Sequence, residues 1–204
     1  MAEVNANVVK ELREKTGAGV MDCKKALAES AGDLEKALIW LRQKGIAAAA
    51  KRAGRVASEG CVGSYIHAGG KLGVLIEVNC ETDFVAKTPE FQALVKELAM
   101  QVAAANPRCV RREELDADVI AQEREIYAAQ SADKPPAVIH KIVEGKLDKF
   151  YRDVCLMEQG YIRDPARTIA DIITDYITKV GEKVEVRRFV RFQLGEGLDG
   201  KGQE

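Results

Sequence analysis

The sequence has neither an excess of charge of one sign nor a long hydrophobic run. Its 204 residues carry 31 Lys and Arg against 32 Asp and Glu, so the formal net charge is -1. Nucleic-acid-binding proteins usually show a basic excess, because phosphate contacts supply much of their affinity. The longest apolar run, residues 46–50, is far too short to span a membrane. We therefore expect a cytoplasmic globular protein that binds neither nucleic acid nor membrane directly.

Cysteine and histidine are present, but not in the arrangement of a metal site. No two of the five cysteines form a CxxC pair, the close spacing that structural zinc sites normally use. His67 and His140 are the two histidines that could complete a site. We therefore expect no metal, no other cofactor and reduced thiols at Cys23, Cys61, Cys80, Cys109 and Cys155.

The sequence also lacks the short motifs that place catalytic groups or bind phosphates. It contains no GxxxxGK[ST], no HExxH and no GxSxG. Without such groups we expect a protein that is not an enzyme. One alternative stays open, because Cys80 would be a thiol nucleophile if His67 or His140 acted as its base.

What the sequence does contain begins with three helix patterns in the first 45 residues. Apolar residues recur there at a spacing of three or four, and glycines follow each pattern. The predicted helices cover residues 6–16, residues 20–30 and a third stretch that Asp33 caps and Gly45 ends. Residues 1–45 are thus predicted to form a small bundle that docks on a partner. The Ala-rich residues 46–59 are predicted to be a helical linker.

A β-hairpin is predicted next, followed by four more helices. Strands at residues 60–67 and 71–79 flank Gly69 and Gly70, a strong turn signal. Thr88 and Pro89 mark the start of a helix that stops before Asn106. The other predicted helices cover residues 113–130, residues 136–158 and the stretch from Thr168 to Gly181.

The final pattern is a strand at residues 184–194 with apolar side chains at even positions. These are Val184, Val186, Val190, Phe192 and Leu194. Since alternate residues of a strand point to the same face, the pattern predicts a broad apolar face that Arg188 interrupts, as Phe189 interrupts the polar face. The predicted fold class is α+β: a three-helix bundle, a linker, a core at residues 60–198 with a small antiparallel sheet covered by helices, and a flexible tail at residues 199–204.

Two segments resemble the signature segments of the elongation factor Ts family. They are LREKTGAGVMDCKKAL at residues 12–27 and EVNCETDFVA at residues 77–86. Residues 149–159 and 190–197 also look like that family. The resemblance therefore extends over residues 7–198, and it is specific because two long motifs occur in the right order on the predicted elements.

The resemblance implies a guanine-nucleotide exchange factor that acts on elongation factor Tu. The N-terminal bundle is then similar to ubiquitin-associated modules and docks on the nucleotide domain of the partner. Matched by position, Arg13, Val20, Met21 and Lys24 face the partner there, although many relatives have Met where this chain has Val20. The alternative interpretations are a bundle-core position for Met21 and a solvated helix face for Arg13 and Lys24.

In the second segment the resemblance implies a wedge formed by Thr82, Asp83, Phe84 and Val85. It enters the partner's nucleotide domain and disturbs the magnesium and phosphate region. From the residues alone, a core plug at Phe84 and a turn cap at Asp83 stay open. The chain is also short and lacks the duplicated core half of longer relatives, which implies a homodimer. A rival function is a docking module that binds its partner without affecting the nucleotide.

Overall fold

The structure is a computed structural model that describes residues 5–198, so the predicted tail at residues 199–204 lies outside the described residues. The described part forms eight α-helices and five β-strands. In chain order they are α1 (Ala6–Thr16), α2 (Val20–Glu29), α3 (Leu34–Arg52), β1 (Glu59–Ile66), β2 (Leu72–Cys80), α4 (Asp83–Ala86), α5 (Pro89–Ala105), α6 (Ala117–Ala129), α7 (Pro136–Val154), β3 (Gly160–Tyr161), β4 (Asp164–Thr168), α8 (Ile169–Val180) and β5 (Val184–Gln193). The α+β prediction is confirmed.

The first three helices pack around a common apolar core. The buried residues are Val9, Leu12, Ala18, Cys23, Ala26, Leu27, Ala37 and Leu41. The predicted cap at Asp33 is confirmed, because its side chain accepts hydrogen bonds from the backbone N–H groups of Glu35 and Lys36. Gly17 ends α1 with φ of 65°, a conformation that glycine adopts without steric strain.

The prediction that the third helix ends at Gly45 is wrong, because α3 continues to Arg52. Ala, Lys and Arg, which form most of this extension, are strong helix formers and carry the helix past the glycine. Gly45 is buried, and a Cβ built on it would lie 2.8 Å from Thr178 Oγ1 of α8. The missing side chain therefore permits close packing of α3 and α8.

The chain divides into two compact units. The first contains the described residues up to Gly60 together with Asn79–Thr88 and Asp171–Glu185. The second contains Cys61–Val78, Pro89–Ala170 and the described residues after Glu185. The predicted division into residues 1–45, 46–59 and 60–198 stays a prediction.

The three-stranded sheet has the order β1-β2-β5, and the predicted hairpin is confirmed. Gly69 and Gly70 form its turn with φ of 91° and 68°. The buried side chains of β2 are Val74, Ile76, Val78 and Cys80. A Cβ built on Gly63 of β1 would lie 2.3 Å from Val95 Cγ1 of α5, so this glycine lets the helix lie close against the strand.

The alternation of β5 changes phase in the middle of the strand. Val184 and Val186 are buried, whereas Val190, Phe192 and Leu194 are 41%, 67% and 74% exposed. Arg187 and Arg188 between them are both exposed, so the alternation of covered and exposed residues is interrupted there. The apolar residues at the even positions are therefore buried before Arg188 and exposed after it.

Two further differences lie in the second unit. The predicted helix at residues 136–158 ends at Val154, because Cys155 is extended at φ -99° and ψ 116°. The strands β3 and β4 were not predicted, since they are short and partly exposed and contain Pro165. A buried glutamine, Gln101, accepts a hydrogen bond of 2.9 Å from the Ile162 N–H and so holds the turn of this hairpin.

Candidate functional site

The short segment after β2 presents an aromatic side chain to solvent. Phe84 lies in the single-turn helix α4 and is 82% exposed, while Ala86 of the same turn is buried at 6%. The interpretation of Phe84 as a core plug is therefore wrong. An exposed large aromatic is unusual unless a partner covers it, since aromatic side chains dominate the energetics of cores and interfaces.

The turn that carries Phe84 is capped by Thr82. Its side-chain oxygen accepts a hydrogen bond of 3.4 Å from the Val85 N–H, and its backbone is extended as at other N-caps. The interpretation of Asp83 as the turn cap is therefore wrong. The Asp83 carboxylate instead lies 2.5 Å from Lys87 Nζ, and this hydrogen bond lowers the pKa of Asp83 below its usual range.

Two carboxylates tie this segment to the turn between α8 and β5. Glu182 accepts hydrogen bonds from the Thr82 hydroxyl at 2.7 Å and from the Thr82 N–H at 3.1 Å. In the opposite direction, Glu81 accepts a hydrogen bond of 2.6 Å from the Lys183 N–H. That bond, followed by one from Arg55, lowers the pKa of Glu81. Sequence reasoning missed both anchors, because no local pattern links positions a hundred residues apart.

Cys80 has the environment of a structural thiol. It is fully buried, and its Sγ donates a hydrogen bond of 3.1 Å to the Thr82 carbonyl oxygen. Burial raises the pKa of Cys80 to about 11. A nucleophilic cysteine needs the reverse, a lowered pKa and access to substrate. The thiol thus helps to hold the segment that carries Phe84.

The N-terminal candidates all lie on the surface of the helix bundle. Met21 is 73% exposed and Val20 is 42% exposed, in the first turn of α2, while Cys23 on the same helix is fully buried. A bundle-core position for Met21 is therefore wrong. Arg13 and Lys24 are exposed, as both a contact role and a solvated face require. These four residues and the segment 82–85 belong to the same compact unit.

The second unit has an exposed apolar surface on its sheet, which we call the open sheet face. It consists of Val62, Ile66, Leu75, Val190, Phe192 and Leu194, all at least 41% exposed. Leu75 lines two shallow cavities, one shared with Ile66, Phe192 and Leu194 and the other with Val62 and Val190. The patch is therefore contiguous, which is typical of an interaction surface.

An ion cluster borders the open sheet face. Glu77, whose side chain is 15% exposed, accepts hydrogen bonds from Arg187 at 2.8 Å and Arg188 at 2.7 Å. These bonds lower the pKa of Glu77, with the one from Arg187 contributing most. The same two arginines lie where the alternation of β5 changes phase. The cluster therefore stabilises the strand at that position.

Residues 5–198 contain neither a cluster of metal-ligating side chains nor a helix that could span a membrane. No three His, Cys, Asp or Glu side chains in this part of the chain are grouped as a metal ion requires. No helix of the described residues combines the length and the apolar character that crossing a bilayer demands.

The sequence matches the protein-family model described as Elongation factor TS over residues 3–196. It is 62% identical over 203 residues to the elongation factor Ts of Anaeromyxobacter dehalogenans, with 98% of this chain and 93% of that protein covered. It is 60% identical over 201 residues to the elongation factor Ts of Desulforamulus reducens, with the same two coverages. For the elongation factor Ts of Thermoanaerobacter sp. the identity is 57% over 203 residues, which cover 98% of this chain and 100% of that protein.

Proposed function

The chain belongs to the elongation factor Ts family and is a nucleotide-exchange factor for elongation factor Tu in translation elongation, and from this premise we propose that Thr82, Asp83, Phe84 and Val85 form its exchange wedge. The observation that carries this proposal is the 82% exposure of Phe84 on a turn held by several hydrogen bonds. A rigid, exposed aromatic loses little conformational entropy when a partner covers it.

The wedge acts by differential binding and needs no covalent chemistry. By linkage, a factor that binds the empty partner better than the loaded one weakens the nucleotide by the same ratio. Phe84 supplies apolar contact inside the nucleotide domain, and the adjacent Asp83 carboxylate competes for hydrogen bonds near the magnesium and phosphate region. After GDP leaves, a new nucleotide binds and the factor dissociates. The chain is thus an exchange factor and not an enzyme.

The helices α1–α3 supply the docking surface in this proposal. Val20 and Met21 present apolar side chains in the first turn of α2, and Arg13 and Lys24 present charges beside them. Residues 1–45 then hold the partner while the segment 82–85 acts on the nucleotide site. Residues 46–59 are the linker that follows the docking bundle in the chain.

Photocrosslinking tests where the wedge contacts the partner. A benzophenone analogue of phenylalanine replaces Phe84 in the full chain, and the matched control places it at Val56, which is 81% exposed in the same unit. We expect position 84 to crosslink to the nucleotide domain of elongation factor Tu next to the magnesium site, and position 56 not to do so. Equal labelling from both positions, or labelling of another domain from position 84, contradicts the proposal.

We further propose that the chain is a cytoplasmic homodimer that pairs through the open sheet face and binds neither nucleic acid nor membrane. The support is the contiguous apolar patch around Leu75, Phe192 and Leu194, which a second copy would cover. Light scattering should give twice the 22.3 kDa of one chain at micromolar concentration. A mass of one chain across that range would refute the dimer and leave the exchange activity as a separate question.

A further inference from the structure

We propose that Glu182 is a positioning residue for nucleotide exchange: it holds Thr82 so that Phe84 is presented to the partner in one orientation. This inference rests on the proposed function of the segment 82–85. Glu182 itself lies outside that segment, in the turn between α8 and β5.

Thr82 connects Glu182 to the turn that carries Phe84. Its hydroxyl donates to Glu182 Oε1 at 2.7 Å, and the oxygen of the same hydroxyl accepts from the Val85 N–H at 3.4 Å. Its backbone N–H donates to Glu182 Oε2 at 3.1 Å. Both oxygens of one carboxylate therefore fix the backbone and the side chain of the residue that caps the Phe84 turn. A cap with a fixed side chain also fixes the direction in which the turn leaves the strand.

The turn that carries Glu182 is itself held in place. Gly181 has φ of 77°, and its carbonyl oxygen accepts a hydrogen bond of 2.9 Å from Arg52 Nε of α3. The Lys183 N–H donates to Glu81, and the Lys183 ammonium donates to the Arg55 carbonyl oxygen at 3.0 Å. The residues on both sides of Glu182 are thus held by Arg52 of α3 and by two residues that follow α3 and β2, Arg55 and Glu81.

The reciprocal arrangement favours a positioning role. Glu81, directly after β2, accepts a hydrogen bond from the backbone of the turn, and Glu182 of the turn accepts one from the backbone of Thr82. Thr82 and Glu182 are each partly buried, whereas Phe84 two residues on is exposed. The bonds therefore restrain a short piece of surface backbone. Because of this restraint, the segment loses less conformational entropy when it binds elongation factor Tu. The chain therefore binds the transition state for GDP release more tightly.

The test compares three variants of the full chain. Glu182→Ala removes both acceptors, Glu182→Gln keeps the shape and one acceptor, and Glu185→Ala is the matched control. Glu185 follows in β5, and its carboxylate pairs with the Lys183 ammonium at 3.1 Å. We expect Glu182→Ala to slow GDP release from elongation factor Tu about tenfold, as the loss of a charged hydrogen bond implies. Glu182→Gln should lie between it and wild type, and the control should release GDP normally.

Amide hydrogen exchange supplies the readout that a role in global stability would not give. In Glu182→Ala, residues 79–88 should exchange faster while the helices of the bundle keep wild-type protection. Faster exchange over the whole chain instead would mean that Glu182 only supports the fold, and would overturn the inference. If Glu182→Ala does not fold, Glu182→Gln carries the same comparison.

A double-mutant cycle with Phe84→Ala separates this inference from the wedge itself. If Glu182 acts through the presentation of Phe84, Glu182→Ala should lower release by less than about twofold when Phe84 is already absent. A full tenfold loss in that background would show that Glu182 acts independently, and normal release by Glu182→Ala alone would also overturn the inference. Normal release by Phe84→Ala would instead refute the proposed wedge.

Discussion

Phe84→Ala should leave the stability of the chain almost unchanged. The side chain is 82% exposed, so less than one-fifth of its surface is covered. With about 200 Å² for a phenylalanine and about 25 cal/mol per Å², the covered part contributes at most about 1 kcal/mol. Truncation of a buried phenylalanine costs about 3–5 kcal/mol. The melting temperature therefore distinguishes the exposed position from a core position.

The same substitution should impair exchange strongly. The exposed part of the ring is about 160 Å², and covering it would give a gross contribution of about 4 kcal/mol. Measured hot-spot aromatics contribute about 2 kcal/mol or more, since binding also orders side chains and removes water from polar groups. If about 2 kcal/mol acts in the transition state for release, the rate falls roughly thirtyfold.

The assay follows release of a fluorescent GDP from elongation factor Tu after mixing with each variant, beside a melting curve of the variant alone. Val56→Ala is the control, because Val56 is equally exposed in the same unit but lies outside the wedge. The exposed wedge at Phe84 is refuted if Phe84→Ala melts far below wild type while the folded fraction releases GDP normally. It is also refuted if Phe84→Ala and Val56→Ala release GDP at the same rate.

Three further predictions test the second unit. Gly63→Ala should lower the free energy of unfolding by about 1–3 kcal/mol, because its Cβ would lie 2.3 Å from Val95 Cγ1. Adding Val95→Ala should recover part of this loss, as measured by urea unfolding. Strictly additive losses in the double variant would contradict this. The lowered pKa of Glu77 means that its stabilising effect is complete above its ordinary pKa and is lost as the pH falls through the lowered value. The urea midpoint should therefore drop more between about pH 7 and about pH 3 for wild type than for Glu77→Gln, and equal drops would refute the assignment. Phe192→Glu, at a position 67% exposed, should shift the light-scattering mass to that of one chain without unfolding it; an unchanged mass would exclude the open sheet face as the dimer contact.

Elements with local signals could be predicted from the sequence. Asp33, Gly17, Pro89 and the Gly69-Gly70 pair act on the backbone within a few residues, so the caps, helix starts and hairpin turn they predicted are confirmed. The two signature segments carried the family resemblance in the same way, since they are contiguous and lie on confirmed elements.

Features that depend on neighbours distant in the chain could not be predicted and became visible in the folded chain. Gly45 can end a helix or admit another helix, and the packing of α8 against α3 selects the second. In β5 the even-numbered residues are buried at the start of the strand and exposed from Arg188 onward. Two exposed residues in succession, Arg187 and Arg188, interrupt the alternation there. The exposure of Phe84 and the bond from Thr82 to Glu182 likewise depend on which segments meet in space. Burial and hydrogen bonding are properties of the packed chain, and residues a hundred positions apart leave no local pattern of their contact.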